Sequence, residues 1–498
     1  MRRRDFLKTT GAAAVAASTA QMLPAFVKSR QPLNLLFITV DDMNYSMPGF
    51  MGGLPHLTPR LDALAARSHR FVNNRTSVAI CQPSREAMMT GRLPQHSGGL
   101  GFTPVYPGVP TLTTVLKEQG YYTAGIHKIK HMQPPSCFPW DRVWHGIDRN
   151  PYVYGDAVRD AIAEAQSLKR PFFVNCNIND PHRPFYGSPE AAGIDHHEEG
   201  EYKVAKEVQP EEVEIPPFLE DLPDIRKELA QYANSVQRLD ISVGKVLDAL
   251  AAAHELDNTI VYFSADHGMP FPFSKATVYD SGSRTPALLS WPGMRKALTF
   301  HDRTCNIDVL PTLLDLMGVP APEGVDGRSW MPIIHGQKQE GREFLVTNIN
   351  SVFGGEEFPA RAIQDDRYSL VFCPWSDGQL RFRVESMEGL TFAAMVRAAE
   401  SNPRIAARVH QYVYGYPLAF YDLQEDPGQR VNLIDAKTQQ NRIQRMKRLL
   451  MGHMETTQDP QVENFKRLLA GEKPIVPQPQ RFRKEISFAG ESGAYGLG

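Results

Sequence analysis

The residues able to do chemistry stand in short clusters separated by long stretches of chain. Asp41-Asp42 and Ala265-Asp266-His267-Gly268 each follow an apolar run. Three carboxylates and an imidazole at two such positions make an oxygen-rich donor set, which favours a hard divalent cation, Ca²⁺ or Mg²⁺, over zinc. Cys81-Gln82-Pro83-Ser84-Arg85 is followed by Thr90-Gly91-Arg92. Pro83 suits the first turn of a helix and Gly91 its end, so a helix is expected to start near Cys81 and place Arg85 one turn further on. A cysteine there stands beside a positive helix N-terminus, where an anionic group is stabilised. Taken alone it is either a structural thiol or a thiolate nucleophile.

The elements that must position these clusters read as strands. Asn34–Val40 runs into Asp41-Asp42, Thr123–Ile126 into His127-Lys128 and then Lys130-His131, Phe172–Ile178 into Asn179-Asp180-Pro181-His182, and Thr259–Ser264 into Asp266-His267-Gly268. Continuous apolar runs of this length predict strands buried on both faces, as in a parallel sheet. In open α/β sheets the ligand site lies beyond the carboxyl ends of the strands, so four such exits point to one site. Helices alternate with the strands. Thr58 is placed to cap, and Pro59 to open, a helix through about Ser68. Leu229, Tyr232, Val236, Leu239, Val243, Val246 and Leu250 follow helical spacing and predict a long helix packed on the sheet.

The expected class is α/β: a large mixed, mostly parallel sheet sandwiched by helices, with a smaller C-terminal α+β domain containing an antiparallel sheet. After Gly341 the pattern turns to short strands such as Arg367–Cys373, with a helix near Gln439–Met451. The expected boundaries are 31–344 for the large domain, 345–470 for the smaller one and 471–498 for an extended Pro-rich tail. Between Glu190 and Asp224 twelve acidic residues face two basic ones, Lys203 and Lys206, which reads as a surface excursion.

The 498 residues carry 54 basic and 56 acidic side chains, a net charge of −2 that excludes a strongly basic nucleic-acid binder. The first thirty residues differ. Arg2-Arg3-Arg4-Asp5-Phe6-Leu7-Lys8 precedes a 12-residue apolar run, Thr9–Ala20, too short to span a membrane and right for a signal peptide of the twin-arginine type. Export to the periplasm or beyond follows as the expectation, with no membrane span in the mature protein. Without residues 1–30 the charge becomes −7. The cysteines number five, an odd count that leaves at least one unpaired or chemically employed.

The Cys81–Arg85 segment with Thr90-Gly91-Arg92 resembles the signature of the sulfatase family, in which the cysteine is oxidised to Cα-formylglycine. Asp41-Asp42 and Asp266-His267 resemble the family's two metal-ligand pairs. Pro311–Gly318, Asp326–Ser329 and Tyr421–Pro427 resemble landmarks of the domain junction and the C-terminal sheet. Asn179–Phe185 and Gly268–Pro272 are similar to sulfamidase-like members, whereas Lys128-x-x-His131 is similar to iduronate sulfatase, with His127 where glycine is usual.

The resemblance implies hydrolysis of sulfate esters or sulfamates on a saccharide, a glycosaminoglycan or related polysaccharide. The metal set is then Asp41, Asp42, Asp266 and His267 with the formylglycine oxygen at position 81, holding Ca²⁺ or Mg²⁺. Arg85 supports that centre, Lys128 (or Lys130) and Lys275 clamp the sulfate, His131 accepts a proton from the formylglycine hydrate, and His182 or Lys275 protonates the leaving group. A formylglycine-generating maturation enzyme is the implied partner. The alternatives are a phosphonate or phosphate ester hydrolase of the same superfamily, and a non-catalytic protein that binds sulfated glycans.

Overall fold

The structure is a computed structural model that describes residues 32–147, 149–191 and 203–476. The signal segment expected at 1–30, part of the acidic excursion and the tail beyond residue 476 lie outside the described residues.

Fourteen strands are described: β1 (Asn34–Val40), β2 (His69–Phe71), β3 (Asn74–Arg75), β4 (Tyr122–Ile126), β5 (Arg142–Trp144), β6 (Phe172–Ile178), β7 (Thr259–Ala265), β8 (Ala287–Ser290), β9 (Thr299–Phe300), β10 (Thr304–Cys305), β11 (Leu345–Ser351), β12 (Glu357–Gln364), β13 (Tyr368–Phe372) and β14 (Leu418–Asp422). Eight form the large sheet in the order β5-β4-β6-β1-β7-β8-β2-β9. β5, β4, β6, β1 and β7 run parallel, and β8 is antiparallel to both of its neighbours. The sheet is therefore mixed and mostly parallel, as its apolar runs require.

Both faces of β1 are covered, and its alternating side chains show how. Leu36, Ile38 and Val40 pack with Ala157 and Ile162 of the helix Pro151–Ser167 and with Leu239, Val243 and Val246 of the helix Pro223–Ala252. Leu35 and Phe37 point the other way, into Met88, Met89, Leu310, Leu314 and Trp330. Burying each of these large apolar side chains stabilises the fold by about 1.5–3 kcal/mol. Helix α1 (Pro59–Ala66) stops two residues short of Ser68, and Thr58 does not cap it. Its hydroxyl instead accepts from Gly49 N and donates to Asp62, while Asp240 on the long helix accepts the Arg60 and Leu61 amides.

The second sheet, β11-β12-β13-β14, is wholly antiparallel. One face carries Ile363, Leu370, Phe372 and Phe420 against Ile443, Met446 and Leu450 of a helix that runs Gln440–Thr456, longer than the expected Gln439–Met451. The other face, with Ala360, Ala362, Val371 and Tyr421, shares a hydrophobic cluster with Ile80, Met269 and Phe273 beside the large sheet. Helices Leu390–Ala399 and Pro403–Tyr414 belong to that cluster and were not expected among short strands. Leu390–Ala399 is buried nearly all round, so it lacks the polar face that makes helical periodicity visible. All five cysteines are buried and unpaired. Among the described residues no helix is long and apolar enough to cross a membrane.

Candidate active site

β4, β6, β1 and β7 lie side by side, so the chains leaving their carboxyl ends converge. Asp41 N donates to Ile178 O at 3.2 Å and Asp266 N to Val40 O at 3.1 Å, carrying the ladder one residue past the strands. Asp42 (φ 66°), His127 (φ 53°) and Lys128 (φ 49°) adopt left-handed backbone at these exits. Non-glycine residues pay about 1 kcal/mol or more for that conformation, which persists where the surroundings enforce it.

Asp41, Asp42, Cys81 and His267 each present a ligand atom, all four within 4.8 Å of one another and buried. Asp41 Oδ1 and Asp42 Oδ1 accept no hydrogen bond, which is rare for a buried carboxylate oxygen. His267 Nδ1 lies 2.9 Å from Gly268 O, so the proton belongs on Nδ1. Its Nε2 lone pair then faces Asp42 Oδ1 at 3.4 Å and Cys81 Sγ at 3.3 Å, the tautomer a metal-ligating histidine needs. These donors fit a hard divalent cation and are able to hold one.

Asp266 stands at the edge of this group. Its Oδ1 accepts from Asp42 N and His267 N, and its Oδ2 from Arg85 Nε at 3.1 Å. Oδ1 keeps a 3.7 Å approach to His267 Nε2. Arg85 is buried and also donates to Thr39 Oγ1 at 2.8 Å and Asn177 Oδ1 at 2.7 Å. Helix α2 (Cys81–Thr90) supplies both Cys81 and Arg85, and Ser84 Oγ ties it to Asp266 O at 2.6 Å. Gly91 ends it with φ 65°.

The electrostatics correct one expectation. A helix N-terminus favours an anion, yet burial first, and then Asp41, Asp42 and Asp266 against Lys275, hold the Cys81 thiol well above its ordinary range. Burial also raises both neighbouring carboxyls, with opposite net results. Lys128 Nζ, 2.5 Å from Asp41 Oδ2, leads the cations that bring Asp41 well below the usual range. Asp42 stays well above it, because Asp41, Glu385 and Asp266 add to burial against Lys275.

The other expected residues gather around this centre. Lys128 reaches Asp41, whereas Lys130 is exposed and pairs with nothing there. Lys275 is buried, with Nζ 2.9 Å from Asp42 Oδ2. Burial opposes its charge, but Asp42, Cys81 and Glu385 keep it a firm ammonium. His182 Nδ1 lies 2.6 Å from Arg183 O and donates its proton there, so Nε2, 3.9 Å from Asp42 Oδ2, has none to donate to the carboxylate. Burial and then Lys275 push His182 down to about 3, and burial and then Lys128 do the same to His131. Both imidazoles are thus neutral, not titrating near neutral pH as free histidine does.

Glu385 was not foreseen. Its Oε2 lies 3.0 Å from Lys275 Nζ and its Oε1 3.5 Å from His182 Nε2, and against the effect of burial the Lys275 ammonium foremost brings it down to about 2. It comes from a short turn, Glu385–Met387, that nothing in the surrounding sequence marks. Thr39 and Asn177, the partners of Arg85, were equally hidden inside apolar strands. A cavity of 1050 Å³ is lined by Asn44 and Met269 and by none of these ligands.

The sulfatase family profile matches residues 33–319, more than half of the chain and nearly all of the residues just described. The chain belongs to the sulfatase family. A second profile, the C-terminal part of N-sulphoglucosamine sulphohydrolase, matches residues 266–375. The sulfatase is 29% identical over 388 residues to human N-sulphoglucosamine sulphohydrolase, covering 72% of this chain and 76% of that one. It is also 29% identical over 345 residues to an ulvan-active sulfatase of Formosa agariphila, covering 68% of this chain and 65%, just under two thirds, of that relative. A solved 2-O glycosaminoglycan sulfatase superposes with a TM-score of 0.63 at 19% identity, over 93% of this chain and 100% of its own, a likeness of fold.

Proposed function

We propose that this sulfatase hydrolyses sulfate esters or sulfamates on a saccharide, drawn from a glycosaminoglycan or related sulfated polysaccharide. Cys81, oxidised to formylglycine by a maturation enzyme, is its nucleophilic position. Asp41, Asp42, Asp266 and His267 hold the cation, Ca²⁺ by the chemistry of the donors. The observation that carries this reading is Cys81 Sγ lying 3.3 Å from His267 Nε2 inside a buried group of carboxylates with unpaired oxygens. When in place, the cation neutralises charge on the sulfuryl oxygens and the formylglycine hydrate supplies the attacking hydroxyl.

The side chains of the protein do the rest. Lys128 and Lys275, both cationic and held at Asp41 and Asp42, receive the sulfate oxygens. Their charge acts in a buried site, where it counts for more than in water. Arg85 fixes Asp266 from behind. His131, neutral and with Nδ1 unpartnered, is fitted to accept a proton. Lys275 holds its proton and His182 does not, which favours Lys275 as the donor to the leaving group. Export by the twin-arginine route is the proposal that Arg2–Ala20 supports.

Two measurements test the reading on protein made with a maturation enzyme. Mass spectrometry of the Cys81 peptide should find sulfur replaced by a carbonyl oxygen. Unmodified cysteine without turnover would favour a glycan-binding protein. Nitrophenyl sulfate should outpace the matching phosphate and phosphonate esters, and the reverse order would overturn the sulfatase assignment of the substrate. N- and O-sulfated glucosamine then separate the two branches.

A further inference from the structure

We propose that Phe353 and Phe102 form a stacking platform for the pyranose ring next to the one that carries the scissile sulfate, so that the enzyme prefers oligosaccharides. The proposal rests on the saccharide reading of the active site. Phe353 is 64% exposed, while its neighbour Val352 is fully buried. It stands at the apex of the β11–β12 turn, which is closed by Val352 N donating to Glu356 O and Gly355 N to Val352 O. Gly354 and Gly355 take the left-handed conformations that the turn demands, φ 97° and 88°.

A single exposed phenyl ring is ordinary on a protein surface. This one is held by a second ring that leads into the site. Phe353 meets Phe102 edge to face with centroids 5.2 Å apart, and Phe102 meets the His131 imidazole the same way at 6.0 Å. The two segments touch closely: a Cβ on Gly101 would fall 1.9 Å from Ser351 Oγ. The run of rings thus extends from solvent to His131 over two ring spacings, comparable to the span of a disaccharide. An aromatic face matches the C–H face of a pyranose, which gains by leaving water without losing hydroxyl hydrogen bonds. The platform joins the β11–β12 turn of the C-terminal sheet to the Gly101-Phe102 loop, which lies outside both sheets, so it exists only where that turn meets this loop.

The test compares a sulfated monosaccharide with a tetrasaccharide ending in the same sulfated sugar, using wild type, Phe353→Ala and Phe353→Trp. Phe353→Ala should raise the tetrasaccharide KM roughly three- to tenfold, the fold-change expected of one aromatic stacking contact. Its kcat should hold, the monosaccharide KM should rise less, and Phe353→Trp should restore the tetrasaccharide KM. Equal changes for the two substrates, or an unchanged tetrasaccharide KM, would refute the platform while leaving the active site intact. A wild-type enzyme that hydrolyses neither saccharide refutes the saccharide reading itself, and the platform with it.

Discussion

Glu385 Oε2 lies 3.0 Å from Lys275 Nζ, although Lys275 follows β7 and Glu385 sits in a turn after β13, far along the chain. Lys275 is thereby held between Glu385 and Asp42 Oδ2. Glu385→Gln keeps an acceptor but removes the charge, and Glu385→Ala removes both. If Lys275 receives the sulfate as proposed, Glu385 orients it, and the loss in kcat/KM should be roughly 10- to 100-fold, larger for Ala than for Gln. Steady-state kinetics on a small aryl sulfate measure it. Full activity in Glu385→Ala would show that Lys275 needs no such support.

Cys81→Ser tests the nucleophile. The residue is buried at the first turn of α2 and serine is close in size, so circular dichroism and the unfolding midpoint should change little. Turnover should vanish, since an ordinary hydroxyl lacks the second hydroxyl of the aldehyde hydrate. Substantial sulfatase activity in this variant would refute the mechanism.

Metal removal should act on stability as well as rate. Asp41 and Asp42 are buried beside each other with unpaired oxygens, and a cation that binds only the folded chain stabilises it by about 2.7 kcal/mol at a hundred times its Kd. Chelation should therefore lower the midpoint of thermal unfolding and abolish turnover. Ca²⁺ or Mg²⁺ should restore both. Asp41→Asn should lose the metal-dependent shift in midpoint.

Glu86, beside Arg85 on α2, predicts a pH dependence of stability. Burial pushes its carboxyl up to about 8, despite hydrogen bonds donated by Gln133 N and Gln82 Nε2. The unfolded chain loses this proton near 4.5 and the folded chain near 8, so between those values the folded state binds more protons and stability falls as pH rises. At roughly 1.4 kcal/mol per unit, the full separation sets an upper bound of a few kcal/mol. Glu86→Gln should flatten that slope in urea unfolding at pH 5 and pH 8. An identical slope in the variant would locate the dependence elsewhere.

Asp180 carries the turn that presents His182. Its carboxylate, buried, takes Arg149 Nη1 at 2.6 Å and Arg238 Nε at 2.7 Å, and despite burial those two arginines, Arg238 foremost, hold it below the usual range. Asp180→Ala strips two buried guanidinium groups of that partner and should cost about 3–5 kcal/mol in denaturant unfolding. A loss below 1 kcal/mol would mean that the arginines find other acceptors.

Much of this protein is legible in its sequence. Strands β1, β4, β6 and β7 could be read because burial on both faces demands unbroken apolar runs, and each run ends in the polar residues that form the site. The long helix was legible because one face is apolar and the other is not. Asp41, Asp42, Cys81, Arg85, Asp266 and His267 stand in motifs a few residues long, so local order alone names them. What the tertiary structure decided concerns pairs distant in sequence. It chose Lys128 over Lys130 for Asp41, because left-handed backbone at His127 and Lys128 turns the first lysine inward. It made His131 and His182 neutral, because burial and nearby lysines outweigh the carboxylates. It brought Glu385 to Lys275 from a turn after β13, where no local pattern marks it. Residue type and spacing record what a side chain is able to do. Protonation state and partner depend on distances and desolvation, and those exist only once the two sheets have packed.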